Sequence, residues 1–192
     1  MNRWIILIML TLLIGSGAYV YSSRSANAEP LEVGAVAPSF QTTGALAGKP
    51  FPVNLSEKLK NGPVVLYFFP KAFTEGCTIE ANMFAEATAD FEAAGATVIG
   101  MSGDSMEELT KFSVEECRDK FAVARADDAV MDGYQVRMEP TLALTNRTSY
   151  VIDQDSKIAL VHSAQDPRGH VKMTLEKVQQ LARIKNAAPP EN

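Results

Sequence analysis

Residues 64–84 read VVLYFFPKAFTEGCTIEANMF, and the rest of the chain is arranged around this stretch. The first six, residues 64–69, are apolar without interruption, which is typical of a strand buried on both faces of a sheet. Pro70 ends this run, and a short polar loop leads to a helical pattern that begins around Cys77. The stretch therefore predicts a strand, a loop and a helix, with a thiol near the N-terminal end of the helix.

The position of Cys77 has a chemical consequence. The unpaired backbone N–H groups and the dipole at a helix N-terminus favour a negative charge. They therefore favour the thiolate, which is the nucleophilic form of cysteine. Position alone does not establish a reactive thiol, because a cysteine after an apolar run is commonly an inert core residue.

The composition is that of a globular domain able to bury a core. The chain has 192 residues, of which 46% are hydrophobic and 21% charged, and its formal net charge is −5. Residues 1–28 contain two arginines and no acidic residue, so the remainder is more acidic still. This balance argues against nucleic acid or an anionic lipid surface as a partner of the folded part.

Residues 1–28 have the features of an export signal. Arg3 makes the N-terminus positive, residues 4–21 are apolar and uncharged, and residues 26–28, Ala-Asn-Ala, form a cleavage site. An uncleaved membrane anchor is the alternative, because the apolar run approaches the length that spans a bilayer. Either interpretation places the folded domain, residues 29–186, outside the cytoplasm, in the periplasm, secreted or anchored to the membrane.

Export changes the interpretation of the only two cysteines, Cys77 and Cys117. In an oxidising compartment they could form a structural disulfide, a redox-cycling pair, or one active thiol beside a bystander. No C-x-x-C pair is present, and neither histidine is close to a cysteine in sequence. The sequence therefore does not support a metal site or a cofactor. His162 and His170 are interpreted as ordinary surface or helix residues.

The remaining pattern alternates between strands and helices. Residues 29–62 read as an extended lead-in with a hairpin. Further strands are predicted at residues 96–101, 123–126, 149–153 and 157–162, and further helices at residues 105–120, 127–136 and from 167 onward. Residues 187–192 read as a flexible polar tail. This order predicts a central mixed α/β sheet flanked by helices on both faces, as in the thioredoxin fold.

Residues 70–77, PKAFTEGC, follow the pattern P-x-x-x-T-x-x-C. Here the sequence resembles the peroxiredoxins, and within them the bacterioferritin comigratory protein, or PrxQ, branch. Residues 34–40, GAVAPSF, match the opening G-x-x-A-P-x-F of that family. Residues 147–153, RTSYVID, match the family segment that carries an arginine to the active site. The resemblance extends over about residues 33–184.

The resemblance implies a thiol-dependent peroxidase that reduces hydrogen peroxide and organic hydroperoxides. Cys77 would be the peroxidatic nucleophile, and Arg147 would stabilise both the thiolate and the charge on the leaving oxygen. Thr74 would hold the peroxide through its hydroxyl group, and Pro70 would shield the thiolate from water. The resemblance also implies an external thiol or dithiol reductant of thioredoxin type, and a monomer or weak dimer.

The sequence departs from the family pattern at two positions. Many members of this branch carry a second, resolving cysteine where this chain has Asn82. A subset carries it in the helix that would contain Cys117, which implies a Cys77–Cys117 disulfide intermediate and local unfolding around both residues. A one-cysteine mechanism is the alternative. Glu75 replaces the usual proline and is expected to oppose a low thiol pKa slightly.

Two other functions stay open on the sequence alone. A disulfide-exchange protein of thioredoxin type would need two cysteines close together, and none are close in sequence. A non-enzymatic member of the family would carry Cys77 and Cys117 as a purely structural disulfide.

Overall fold

The computed structural model describes residues 29–187. The predicted export signal, residues 1–28, lies outside the described residues, as do residues 188–192 of the predicted tail. Ala187, the first residue of that tail, is the last residue of a long helix. Within the part of the chain that the structure describes, the helices are too short or too polar to cross a bilayer.

A seven-stranded mixed sheet forms the centre of the molecule. Its strands, in chain order, are β1 (Gln41–Leu46), β2 (Lys49–Asn54), β3 (Val64–Phe68), β4 (Thr97–Ser102), β5 (Ala122–Arg125), β6 (Thr148–Ile152) and β7 (Ile158–Ser163). The helices are α1 (Leu55–Leu59), α2 (Glu75–Ala93), α3 (Met106–Glu115), α4 (Asp128–Gly133) and α5 (Arg168–Ala187). Across the sheet the strand order is β2-β1-β5-β4-β3-β6-β7.

Helices cover both faces of this sheet, as predicted. On one face the core is completed by α1 and α4, through Leu55, Leu59, Val130 and Met131. On the other face it is completed by α2, α3 and α5, through Phe84, Phe91, Phe112 and Val178. All five residues of β3 are buried, because its continuous apolar sequence supplies side chains to both cores. The prediction of a central mixed sheet flanked by helices is confirmed.

The predicted hairpin in the lead-in is also present, as β1 and β2. Ala47 and Gly48 form its turn with φ values of 50° and 73°, the left-handed conformation that tight hairpin turns require. The preceding apolar segment pairs elsewhere, since the N–H of Gly34 donates to the carbonyl oxygen of Ile158 in β7.

The end of α3 differs from the sequence prediction. The helix was predicted to continue to Lys120, which would have placed Cys117 within it. Instead it ends at Glu115, and the N–H of Cys117 donates to the carbonyl of Phe112 at 3.1 Å. Arg118 and Asp119 then take left-handed φ values of 51° and 59°, which a continuing α-helix excludes. The prediction of a helical Cys117 is therefore wrong.

The pairing of β3 with β6 determines where the functional residues meet. The two strands are antiparallel, with Phe68 opposite Thr148. The residue before β6, Arg147, therefore lies at the edge of the sheet where β3 ends and the loop to α2 begins. This register brings together residues that are far apart in the sequence.

Candidate active site

Cys77 lies in the first turn of α2, which begins at Glu75. The side chain is 1% exposed. Phe73, with a φ of 63°, turns the chain from the loop into the helix. Thr74 occupies the N-cap position but makes no capping bond with its side chain. Its hydroxyl instead donates to the carbonyl of Lys71 at 2.9 Å, which leaves the lone pairs of the hydroxyl free to accept.

A buried carboxylate after β4 anchors the loop that precedes the helix. Asp104 accepts from the N–H of Ala72 at 2.6 Å and from the hydroxyl of Ser102 at 2.7 Å. It also pairs with the ammonium of Lys71, and this hydrogen bond raises the pKa of Lys71. The cap of α3 is Ser105, so Asp104 is free to hold the loop.

Arg147 faces the thiol. Its Nη2 donates to Sγ of Cys77 at 3.4 Å, and its Nε donates to the carbonyl of Gln165 at 3.1 Å. Its Nη1 donates to the carboxyl group of Glu80. The side chain is 6% exposed, so these contacts lie out of bulk water. Burial lowers the pKa of Arg147, but Glu80 and Cys77 outweigh that effect and raise it, so the guanidinium is charged.

The structure brings together the predicted residues to different extents. Cys77 and Arg147 are in contact, and Thr74 lies at the start of the same helix as Cys77. Pro70 is half-buried in the loop after β3. Cys117 is a buried free thiol in the same apolar cluster as Cys77, and burial raises its pKa. Cys117 is therefore protonated, and it is not bonded to Cys77 in this structure.

Two buried polar residues beside Arg147 were not predicted from the sequence as part of the site. Glu80 is fully buried on α2 and contacts Arg147. His170 lies on α5, as one alternative of its interpretation had it, but it is fully buried, so the surface alternative is wrong. The imidazole contacts the hydroxyl of Ser149 and the carbonyl of Ala164 at 2.8 Å and 2.9 Å. Glu80 could have been found from its helical spacing to Cys77, whereas no local pattern marks His170.

Within residues 29–187 no group of three or more histidine, cysteine, aspartate or glutamate side chains is placed to hold a metal ion. The polar groups near Cys77 are instead a guanidinium, a carboxyl group and an imidazole. This set suits proton and anion chemistry at sulfur.

Comparison with known proteins gives a consistent assignment. The AhpC/TSA family matches residues 33–161. A chloroplastic peroxiredoxin Q of Sedum lineare is 35% identical over 131 residues, which cover 68% of this chain and 70% of the relative. Another, of Suaeda salsa, is 35% identical over 130 residues, which cover 67% of this chain and 60% of the relative. The crystal structure of peroxidoxin BcpB from Mycobacterium tuberculosis has a TM-score of 0.71 and 28% identity, covering 79% of this chain and 98% of that one.

The fold and the thiol–guanidinium pair define a class, the thiol-dependent peroxidases built on a thioredoxin-like fold. Within that class, the chain belongs to the AhpC/TSA family and resembles the peroxiredoxin Q proteins. The predicted thioredoxin-like fold and the predicted peroxiredoxin class are both confirmed.

Proposed function

We propose that this protein reduces hydrogen peroxide and organic hydroperoxides with Cys77 as the peroxidatic nucleophile. One observation carries the proposal: a buried guanidinium lies 3.4 Å from a thiol in the first turn of a helix. The helix N-terminus and the positive charge of Arg147 both favour the thiolate of Cys77.

The chemistry requires an in-line attack on the peroxide. The thiolate forms an S–O bond, the O–O bond breaks, and the second oxygen leaves with the electron pair and takes up a proton. The hydroxyl of Thr74 and the N–H groups in the first turn of α2 can bind the peroxide oxygens. The charge of Arg147 stabilises the leaving oxygen as that charge develops.

Cys117 is proposed as the resolving thiol. It would condense with the sulfenic acid of Cys77, forming the disulfide and releasing water. Both thiols lie in one apolar layer, and Cys117 follows a helix end rather than lying within the helix. Arg118, next to it, holds a left-handed backbone conformation that is unfavourable for a non-glycine residue. Local opening of residues 116–120 is therefore less costly than unwinding a helix.

The compartment, the reductant and the oligomeric state are also part of the proposal. An exported enzyme would draw electrons from a thioredoxin-type dithiol outside the cytoplasm, which would reduce the Cys77–Cys117 disulfide. The acidic balance of the folded domain argues against nucleic acid as a partner. We propose a monomer or weak dimer.

The nucleophile is tested with Cys77→Ser. This variant is expected to lose peroxide consumption with a dithiol reductant, because serine is not ionised at neutral pH. The comparison variant is Cys117→Ser, which retains the proposed nucleophile and should still consume the first equivalent of peroxide. Consumption of peroxide by Cys77→Ser at the parent rate would refute the proposal.

The resolving role is tested by mass spectrometry after one equivalent of peroxide. The parent protein is expected to show a Cys77–Cys117 disulfide, and Cys117→Ser is expected to accumulate a sulfenic acid on Cys77. Parent protein that retains Cys117 as a free thiol while Cys77 is oxidised would instead establish a one-cysteine mechanism.

A further inference from the structure

Glu80 and His170 form a buried polar pair beside Arg147, one helical turn along α2 from the thiol. Oε1 of Glu80 lies 3.6 Å from Nδ1 of His170, just beyond hydrogen-bond length. Both side chains are fully buried, and Oε1 has no hydrogen-bond partner among the described residues. An ionised carboxylate oxygen in such a place would be costly, whereas a protonated one is much less so.

The hydrogen bonds of His170 determine which nitrogen can accept. Nε2 lies 2.9 Å from the carbonyl oxygen of Ala164, which can only accept, so Nε2 carries a hydrogen. In the neutral ring Nδ1 is then a lone-pair acceptor, and it faces both the hydroxyl of Ser149 and Oε1 of Glu80. The hydroxyl of Ser149, 2.8 Å away, donates to the lone pair of Nδ1, so the imidazole has no proton to give to Oε1 of Glu80. The unpartnered, buried Oε1 is then much less costly when Glu80 is itself protonated.

The charges of the buried groups then compete. Arg147 contacts both Cys77 and Glu80 through neighbouring nitrogens, so a single positive charge serves two acids. If Glu80 is ionised, it neutralises Arg147, and a thiolate on Cys77 would add an uncompensated buried negative charge. If Glu80 is protonated, the guanidinium is left to balance the thiolate.

We propose that Glu80 holds a proton beside His170 and Arg147, and that this proton keeps the guanidinium charge available to the Cys77 thiolate. The inference rests on the proposed role of Cys77 as the nucleophile. Glu80 acts through Arg147, so it is a positioning residue that regulates charge. The ionisations of Glu80 and Cys77 are therefore coupled, each opposing the other.

Burial supports this location of the proton. It raises the pKa of Glu80 to about 8, against a smaller opposing effect of Arg147. Burial also lowers the pKa of His170 to about 4. At neutral pH the proton accordingly belongs to Glu80, and the imidazole is neutral.

Titratable and charged groups reach the pair from every neighbouring element. Among these groups, only Arg147 places a positive charge in direct contact with Glu80. The others act on the pair through charge or through short contacts. They are Cys77 on α2, Tyr67 on β3, Arg147 before β6, His162 on β7, and Asp166 before α5. Burial raises the pKa of Tyr67 well above its usual range, so its hydroxyl stays neutral in this set.

The test measures the ionisation of Cys77 directly, in a Cys117→Ser background that leaves one thiol. The rate of alkylation by iodoacetamide is followed against pH. Glu80→Gln preserves the shape, because its amide oxygen can accept from Arg147 and its neutral amide nitrogen takes the place of the protonated oxygen beside Nδ1 of His170. We expect the midpoint of the thiol titration to fall by about one pH unit or more.

His170→Gln provides the opposite change. The amide N–H can still donate to Ala164, but the acceptor that faces Glu80 is lost. Glu80 then ionises more readily, and the midpoint of the Cys77 titration is expected to rise. In the Glu80→Gln background the same histidine change should have little effect on the midpoint, because the carboxyl group through which it acts is absent.

Glu86→Gln is the matched control, since it removes an exposed acid from the same helix. A Glu80→Gln curve that superimposes on the parent and control curves, with circular dichroism showing a folded protein, would overturn the inference. A histidine change that shifts the midpoint equally with and without Glu80 would overturn it too. Alkylation needs no turnover, so a failure of the peroxidase proposal would be seen separately, as Cys77-independent peroxide consumption.

Discussion

The guanidinium of Arg147 donates hydrogen bonds to three acceptors: the sulfur of Cys77, the carboxyl group of Glu80 and the carbonyl of Gln165. A planar group with several fixed N–H donors can satisfy all three at once, whereas an ammonium is a compact point charge. Position 147 therefore requires the geometry of an arginine side chain as well as its positive charge.

Arg147→Lys should for this reason reduce peroxide reduction by about a hundredfold, a loss comparable to that of one charge-stabilising donor. The measurement is the second-order rate constant for peroxide by stopped flow. Arg118→Lys is the control, because Arg118 is half-exposed and makes only a long contact with Glu86. Retention of the parent rate constant would show that charge alone is sufficient at Arg147.

At the scale of elements, the backbone of α2 passes close to Arg147 at Gly76. A Cβ atom added there would lie 3.1 Å from Nη2 of Arg147. Three hydrogen bonds hold that guanidinium, so it cannot move away without losing contact with Cys77 or Glu80. The absence of a side chain at Gly76 thus permits the helix and the guanidinium to meet.

Gly76→Ala should separate stability from activity. Alanine in a helix is more favourable than glycine by about 0.5–1 kcal/mol, which offsets the cost of displacing Arg147, so the free energy of unfolding should stay within about 1 kcal/mol of the parent value. Peroxide reduction should fall by about tenfold, because a displacement of Arg147 from Sγ weakens the charge-assisted contact. Denaturant unfolding and stopped-flow kinetics on one preparation check both parts; unchanged kinetics would contradict the second.

A second link between elements joins α2 to the end of α3. Nδ2 of Asn82 donates to the carboxylate of Glu116 at 3.1 Å, beside Cys117. The family position that can carry a resolving cysteine thus instead restrains the segment that carries Cys117.

Asn82→Ala should release this restraint and speed formation of the Cys77–Cys117 disulfide by about fivefold, which corresponds to about 1 kcal/mol, the typical net contribution of one hydrogen bond. Rapid acid quench followed by mass spectrometry measures the rate. Asn61→Ala, in an exposed turn after α1, is the control. A rate equal to that of the parent would show that opening does not involve the Asn82–Glu116 bond.

For the whole molecule, the buried pair makes stability depend on pH. Glu80 has a folded pKa of about 8, above its ordinary 4.5, so its contribution to stability is lost as pH rises from about 4.5 to 8. His170 has a folded pKa of about 4, below its ordinary 6.5, so its contribution is lost as pH falls from about 6.5 to 4. The two effects oppose each other in the acid range, and above pH 6.5 that of Glu80 remains alone.

Glu80→Gln should accordingly flatten the loss of stability between about pH 6.5 and 8. One proton corresponds to a slope of about 1.4 kcal/mol per pH unit at most. The free energy of unfolding in urea at several pH values gives the slope, with Glu86→Gln as the control. Parallel curves for the parent and Glu80→Gln would show that Glu80 is not protonated in the folded state.

Much of the fold was predictable, because its signals are local. The apolar run of β3, the helical spacing of α2 and the β6–β7 hairpin each lie within a short stretch of sequence. The end of α3 was not predictable in this way, since it depends on a turn in which Arg118 and Asp119 adopt unusual backbone conformations.

The sequence by itself determined the strand–loop–helix unit, the cysteine at its centre and the family to which the chain belongs. Through the resemblance it also indicated Arg147. Only the tertiary structure decided that Glu80 and His170 meet beside Arg147, and that Cys117 lies outside the helix. The burial of a polar side chain depends on elements from distant parts of the chain packing around it, here α2, α5 and the start of β6. The sequence immediately around His170 does not indicate that packing.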